Sequence, residues 1–201
     1  MAGRTVGGSM KSLTILCDAD DTIEHLLPHW LDALNRAYQK DLKPEDIHSW
    51  NLALAYPDLT SEQVFAPIYT KAFWENITPM EDSQYYLERL IEDGHKVYIL
   101  SAANFETSDV KVEKLLKLFP FLDWTKIILA HDKQMIRGDV LIDDGIHNLK
   151  GGHYRKLLFH QPHNAEIDET QYGAIRVHSW KEIYELIKQF AKENEGERRY
   201  A

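Results

Sequence analysis

The stretch Ser12-Leu13-Thr14-Ile15-Leu16-Cys17-Asp18-Ala19-Asp20-Asp21-Thr22 sets the architecture. Its first six residues form a nearly continuous apolar run, and acid follows at once. A run with no polar face reads as a strand covered on both sides, which favours a parallel sheet between helices. Working outward, similar short runs recur at residues 97–100, 126–129, 140–142, 156–159 and 174–177. Helical patterns separate several of them. Residues 82–93 put Tyr86, Leu87, Leu90 and Ile91 on one stripe, and Gly94 stands where a helix ends in a left-handed residue. Residues 109–118 carry Val112, Leu115 and Leu116, with Phe119 beyond and Pro120 as the stop. Ser179-Trp180-Lys181-Glu182 is a capping box that opens a last helix running toward Lys192. This alternation predicts an α/β fold, a doubly wound, Rossmann-like parallel sheet.

One interval breaks the rhythm. Roughly 80 residues separate the first two strands, where a βαβ unit needs about 30. The surplus shows helical spacing only. Pro28 suits the first turn of a helix through Tyr38, with Leu31, Leu34 and Tyr38 on one side. Thr60-Ser61-Glu62-Gln63 is a second capping box, and Val64, Phe65, Ile68, Tyr69 and Phe73 follow at periods of three and four. The expected organisation is therefore a small helical cap over 26–79, inserted after the first strand of a core formed by 11–25 and 80–195. Residues 1–10 read as a tag or disordered leader, and the charged tail from Lys192 to Ala201 as frayed.

Composition bounds the function. The chain has 201 residues, 44% hydrophobic and 27% charged, which suits one globular unit with a sizeable core. Its formal charge of −9 offers no basic field to a nucleic acid polymer or an anionic membrane. No segment approaches the ~20 apolar residues of a membrane span. The single cysteine, Cys17, excludes an intrachain disulfide framework and suits a reducing, cytoplasmic setting. It reads as a small buried hydrophobe in the first strand.

Acids gather where strands end. Asp18, Asp20 and Asp21 follow the first run, and Asp143-Asp144 follow Val140-Leu141-Ile142. Ligands of open parallel sheets bind at the carboxyl ends of strands. If these two strands are neighbours, four or five carboxylates meet, at a cost that a cation must offset. All-oxygen donors favour a hard ion, Mg²⁺ above all. Ser101 and Lys133 also follow strands. A hydroxyl, an ammonium, backbone amides and Mg²⁺ make a phosphoryl clamp. One carboxylate beside it can attack phosphorus, and a second can protonate the leaving oxygen and then activate water. Asp21 reads as an extra solvated acid, and His178-Ser179-Trp180 as a strand-to-helix corner. His147, His153, His160 and His163 match no closed zinc site.

In this order, Asp18-x-Asp20-x-Thr22, Ser101, Lys133 and Asp143-Asp144 resemble the four motifs of haloacid-dehalogenase-like (HAD) phosphohydrolases. The insertion resembles their cap. Asp132-Lys133 before Gly138-Asp139-Val140-Leu141-Ile142-Asp143-Asp144 is similar to the 5′(3′)-deoxyribonucleotidases. So are Phe73-Trp74-Glu75, Leu158-Phe159-His160 with His163-Asn164, and Val177-His178-Ser179-Trp180. The resemblance implies Asp18 as nucleophile and Asp20 as general acid/base. It implies phosphate contacts from Ser101, Lys133 and the amides of Ala102 and Ala19. It implies Mg²⁺ held by Asp18, the Asp20 carbonyl and the Asp143-Asp144 pair, with Asp144 favoured as direct ligand. Tyr69 and Trp74 become the stacking candidates of the cap, because the aromatic expected near Leu26 is missing. The resemblance implies a small phosphomonoester substrate, a nucleoside or deoxyribonucleoside monophosphate, and a homodimer. A phosphosugar phosphatase keeps the same chemistry with another substrate. A phosphorelay receiver shares the residue types but not their order, and a silent binding protein has no feature in its favour.

Overall fold

The structure is a computed structural model describing residues 11–198, with side chains through Glu193. The expected leader at 1–10 and the last three residues lie outside the described residues.

Six parallel strands form one sheet: β1 (Thr14–Asp18), β2 (Lys96–Ser101), β3 (Ile127–Leu129), β4 (Val140–Asp143), β5 (Arg155–Phe159) and β6 (Ala174–Val177), in the order β3-β2-β1-β4-β5-β6. The chain winds one way from β1 to β3 and the other way from β4 to β6. The switch between β1 and β4 opens a crevice at their carboxyl ends, where ligands bind in such folds. Register fixes the acids there. Cys17 pairs with Ile142 and with Ile99, so Asp18 and Asp143 end adjacent strands at the same level, with Ser101 at the end of β2 on the other side. Gly138 permits the close approach of β4 to β1: a Cβ there would stand 2.6 Å from Leu16 Cγ.

Both sheet faces are covered. Ile15, Cys17, Ile99, Ile142, Leu157 and Val177 belong to one core face, and Leu16, Leu100, Leu141 and Leu158 to the other. Two faces of apolar burial explain why the strands show no alternation. Helices α4 (Ser83–Glu92), α5 (Ser108–Leu118), α6 (Ile146–Leu149) and α7 (Trp180–Arg198) belong to this part of the chain. Three helices lie in the interval between β1 and β2: α1 (Leu27–Tyr38), α2 (Ser61–Phe65) and α3 (Lys71–Trp74). Trp30, Leu34, Ile47, Leu52, Val64 and Phe73 build a separate hydrophobic cluster there. Val110 and Leu118 of α5 pack against it. The two chain passages that enter and leave this interval bond to each other, His25 N–H to the Thr78 carbonyl at 2.9 Å and Met80 N–H to the Ile23 carbonyl at 2.8 Å.

Three local expectations are corrected. The helix read from Thr60 to Phe73 is broken: α2 gives way to a 3₁₀ turn at Ala66–Tyr69, and Thr70 is extended (φ −105°, ψ 136°) before α3. Pro67 lacks the N–H that a continuous helix needs. The last helix, expected to run toward Lys192, continues to Arg198. Asp21 is not solvated. It is buried at φ 52°, and its carboxylate accepts the N–H groups of Leu26 and Leu27 at 3.0 and 2.9 Å, capping the start of α1.

Candidate active site

Lys133 is the centre of the site. Its ammonium is buried and lies 2.5 Å from Asp18 Oδ1 and 2.7 Å from Asp143 Oδ2. It thus bridges the acids of two neighbouring strands. Burial alone would lower its pKa, but the two carboxylates overcome this and raise it. Asp18 is pushed up to about 6 by burial and then by Asp143, with Lys133 opposing both. Asp18 Oδ1 also accepts the Ala19 amide at 2.7 Å.

The Asp143-Asp144 pair divides its contacts. Asp143 is saturated: Oδ2 takes Lys133, while Oδ1 takes the Gly145 amide at 2.8 Å and Asn148 Nδ2 at 2.9 Å. Asp144 keeps Oδ1 buried without a hydrogen-bond partner. Its Oδ2 lies 3.0 Å from His163 Nε2. Burial, and after it Asp18, raises its pKa strongly. Ligand oxygens of Asp18, Asp143 and Asp144 lie within 4.8 Å of one another, the one such His/Cys/Asp/Glu group among the described residues. Three buried carboxylates with a single ammonium among them leave negative charge in excess. An all-oxygen donor set with an orphaned buried oxygen fits a hard divalent cation.

Asp20 has a partner that sequence reasoning missed. Lys111 of α5, 1% exposed, places Nζ 2.5 Å from Asp20 Oδ2 and 2.9 Å from the Ala102 carbonyl. The ammonium also lies over the Trp74 ring, 4.4 Å from its centroid. Its sequence signal was a lysine four residues before Leu115, on the buried stripe of a helix. Asp20 Oδ1 is buried and unpaired, and burial raises the Asp20 pKa against the pull of Lys111. Glu24 is also buried, has neither oxygen paired, and is pushed up to about 8 by burial and then by Asp20.

Ser101 ends β2 fully buried, its hydroxyl 3.3 Å from the Ala102 carbonyl. The remaining expected residues separate. Trp74 is 4% exposed, donates its indole N–H to the Ile68 carbonyl at 2.9 Å, and has its face covered by Lys111. Tyr69 is 52% exposed at the end of the 3₁₀ turn. The indole that reaches the acid cluster is Trp50, edge-on to His147 and His163 with ring centroids 4.6 and 5.1 Å away. A cavity of about 350 Å³ runs beside it, lined by Asp21, Leu26, Trp30, Phe65, Ile68 and His163 among others. The corner at His178 holds motif residues in place, since Trp180 Nε1 donates to the Thr22 carbonyl at 2.9 Å. Cys17 is buried, and burial raises its thiol pKa.

Solved structures share this fold. A HAD family hydrolase from Deinococcus radiodurans R1, with bound phosphate and sodium, superposes with a TM-score of 0.58 at 13% identity, covering 85% of this chain and 92% of that one. A haloacid dehalogenase-like hydrolase from Streptococcus pneumoniae gives 0.62 at 12% identity, covering 88% and 98%. The architecture is therefore that of the HAD-like hydrolases. The family model described as 5′ nucleotidase, deoxy (pyrimidine), cytosolic type C protein matches residues 11–193. The protein named 5′(3′)-deoxyribonucleotidase of Bacillus subtilis (strain 168) is 32% identical over 171 residues, 84% of this chain and 95% of that protein. One of the same name from Clostridium acetobutylicum is 27% identical over 184 residues, 90% and 99% of the two chains. The chain belongs to this 5′-nucleotidase family, an enzyme family of phosphoric monoester hydrolases.

Proposed function

We propose that the protein hydrolyses nucleoside monophosphates, deoxyribonucleotides foremost, through a phosphoryl-aspartate on Asp18. The observation that carries this reading is the Lys133 bridge between Asp18 and Asp143, at the carboxyl ends of β1 and β4. Lys133 opposes the burial of Asp18 and so keeps a nucleophilic carboxylate available near neutral pH. The Asp18 oxygen attacks phosphorus as the bond to the nucleoside oxygen breaks, and Asp20 gives that oxygen a proton. A water then passes a proton to the Asp20 carboxylate and attacks phosphorus. Phosphate leaves and the Asp18 carboxylate is regenerated. Ser101, Lys133 and the amides of Ala19 and Ala102 hold the phosphoryl oxygens.

Asp18, the Asp20 carbonyl and Asp144 would hold Mg²⁺, with Asp143 in support, because Asp143 has no oxygen to spare. Mg²⁺ supplies charge neutralisation at the phosphoryl group. Residues 26–79 act as the cap that excludes water. The mainly apolar cavity of about 350 Å³ suits a nucleoside better than a phosphosugar, which needs polar lining. Trp50 is its exposed tryptophan, Tyr69 lies outside its lining, and Trp74 serves by carrying Lys111. The family description is consistent with a cytoplasmic place, and no described helix is long and apolar enough to cross a membrane.

The test is phosphate release from deoxyribonucleotides, ribonucleotides, a 3′-nucleotide, a phosphosugar and p-nitrophenyl phosphate, with Mg²⁺ and with EDTA. Release from deoxyribonucleotides should dominate and vanish in Asp18→Asn. Undiminished turnover by that variant sinks the mechanism, and release confined to the phosphosugar sinks the substrate.

A further inference from the structure

The loop after β5 holds the acid loops from behind. Gln161 Nε2 donates to the Asp21 carbonyl at 2.6 Å, and Asn164 Nδ2 donates to the carbonyls of Asp144 and Phe159, each at 2.8 Å. Between them, His163 sets Nε2 3.0 Å from Asp144 Oδ2, a close packing contact outside hydrogen-bond geometry. Arg176 of β6 anchors the loop, donating to Asn164 Oδ1 at 2.8 Å and to the Ile167 carbonyl at 2.6 Å. The loop is thus tied at both ends, and its histidine faces Asp144, which among Asp18, Asp143 and Asp144 is the one with an unpaired buried oxygen.

The other side of His163 meets the insertion. Trp50, 52% exposed, sets its indole edge-on to His163 at 5.1 Å and to His147 at 4.6 Å. Trp50 comes from the segment between β1 and β2, whereas both imidazoles come from the sheet side of the crevice. This gives a continuous path from the insertion through Trp50 and His163 to Asp144.

We propose that His163 is the positioning residue for Asp144, turning its free oxygen toward the divalent cation, and that Trp50 makes this alignment depend on the seating of the insertion. The inference rests on the divalent-cation part of the reading above, not on the substrate. An imidazole against one carboxylate oxygen restricts rotation of the carboxyl group, so the other oxygen is presented with less entropy left to lose. Trp50 restricts the imidazole in the same way. When the insertion lifts, Trp50 leaves, His163 is freed and the cation is held less tightly. Cation binding and closure thereby favour each other, as linkage requires.

The test is calorimetric titration of the full chain with Mg²⁺, and with Mn²⁺ as a second probe, in the absence of any nucleotide. Variants are His163→Gln, Trp50→Leu and, as a reference, Asp144→Asn. Thermal melts of the metal-free proteins serve as the fold control. His163→Gln should weaken Mg²⁺ binding by about 10–100-fold, the usual cost of losing an outer partner of a metal ligand. Trp50→Leu should weaken it in the same direction by about 3–10-fold, one step further out. Trp50 is half-exposed, so this variant stays informative if His163→Gln fails to fold. Mg²⁺ affinity within about twofold of the parent in folded His163→Gln overturns the positioning role. Unchanged affinity in Trp50→Leu overturns the coupling to the insertion. If Asp144→Asn leaves binding intact, the cation assignment itself fails. If nucleotidase activity is missing while His163→Gln loses Mg²⁺, the substrate reading falls and this inference stands.

Discussion

Lys111 Nζ lies 2.5 Å from Asp20 Oδ2, and the same ammonium donates to the Ala102 carbonyl. One buried cation thereby ties the proposed acid/base to the loop that would hold the phosphoryl group. With Trp74 beneath it, the ammonium has little freedom, and Asp20 is held on one side. Its other oxygen stays buried and unpaired. A carboxyl group fixed at one oxygen presents the second in a defined direction, which proton transfer to a leaving oxygen needs.

Replacing Lys111 with Met should therefore lower kcat for a nucleoside monophosphate by about 10–100-fold, less than the roughly 10²–10⁴-fold that an acid/base group removed outright would cost. The loss with p-nitrophenyl phosphate should be much smaller, since nitrophenolate leaves without a proton. Steady-state kinetics on both substrates separate the cases. Equal losses on the two would assign Lys111 to phosphoryl binding or folding instead of to Asp20.

The sheet and the central acids were legible because their physics is local. Six apolar runs gave six strands, and each acid sits where its run stops. Lys111 was hidden by the same periodicity that revealed α5. A charge on a buried stripe looks like a flaw in the pattern until Asp20 appears opposite it, 91 residues away in sequence. Asp21 misled for a related reason: in a row of acids nothing marks the one whose backbone turns left-handed and caps α1. The sequence singles out Trp74 among the cap aromatics and passes over Trp50, which lies in the same 26–79 interval. Only packing decides that one lies under a lysine and the other reaches the histidines.

Lys133→Met removes the cation between Asp18 and Asp143, leaving two carboxylates in a dry site. Breaking such a buried pair costs about 3–5 kcal/mol near neutral pH. The sign of its pH dependence follows from Asp18. Its folded pKa already lies above the unfolded value, at about 6, and loss of Lys133 raises it further. A carboxyl group with a raised folded pKa keeps its proton in the folded state while the unfolded chain has lost it, so stability falls as pH rises through that window. The deficit of the variant should then be largest above pH 7 and shrink toward pH 4. Urea melts of the metal-free proteins at several pH values check this, and a deficit independent of pH would contradict it.

Gly138→Ala tests whether strand spacing sets the site. The added Cβ would meet Leu16 Cγ at 2.6 Å and Cδ1 at 2.8 Å, and the Thr14 carbonyl at 3.2 Å. Leu16 is packed in the core, so part of the strain passes to the β1–β4 register that aligns Asp18 with Asp143. Overpacking of this kind costs about 1–3 kcal/mol, a drop in Tm of about 2–4 °C for each kcal/mol at this size. kcat should fall with Tm, since the site spans both strands. A normal Tm with full activity would show that Leu16 yields without moving β1.

Glu24 makes the opposite prediction, a stabilising substitution. Its carboxyl group is buried with neither oxygen paired, and burial and then Asp20 hold its pKa at about 8. In the unfolded chain a glutamate ionises near pH 4.5. Between those two values the folded state holds a proton that the unfolded state has released, so the parent protein loses stability steadily as pH rises. Gln keeps the shape and the uncharged state without that loss. Glu24→Gln should match the parent at pH 4, gain with rising pH, and be more stable at pH 8 by at least about 2 kcal/mol, the full shift setting a larger upper bound. Chemical denaturation of both proteins in metal-free buffer from pH 4 to 8 measures the difference. A constant offset across that range would mean that Glu24 is already ionised in the fold, with Lys111 as its partner as well as that of Asp20.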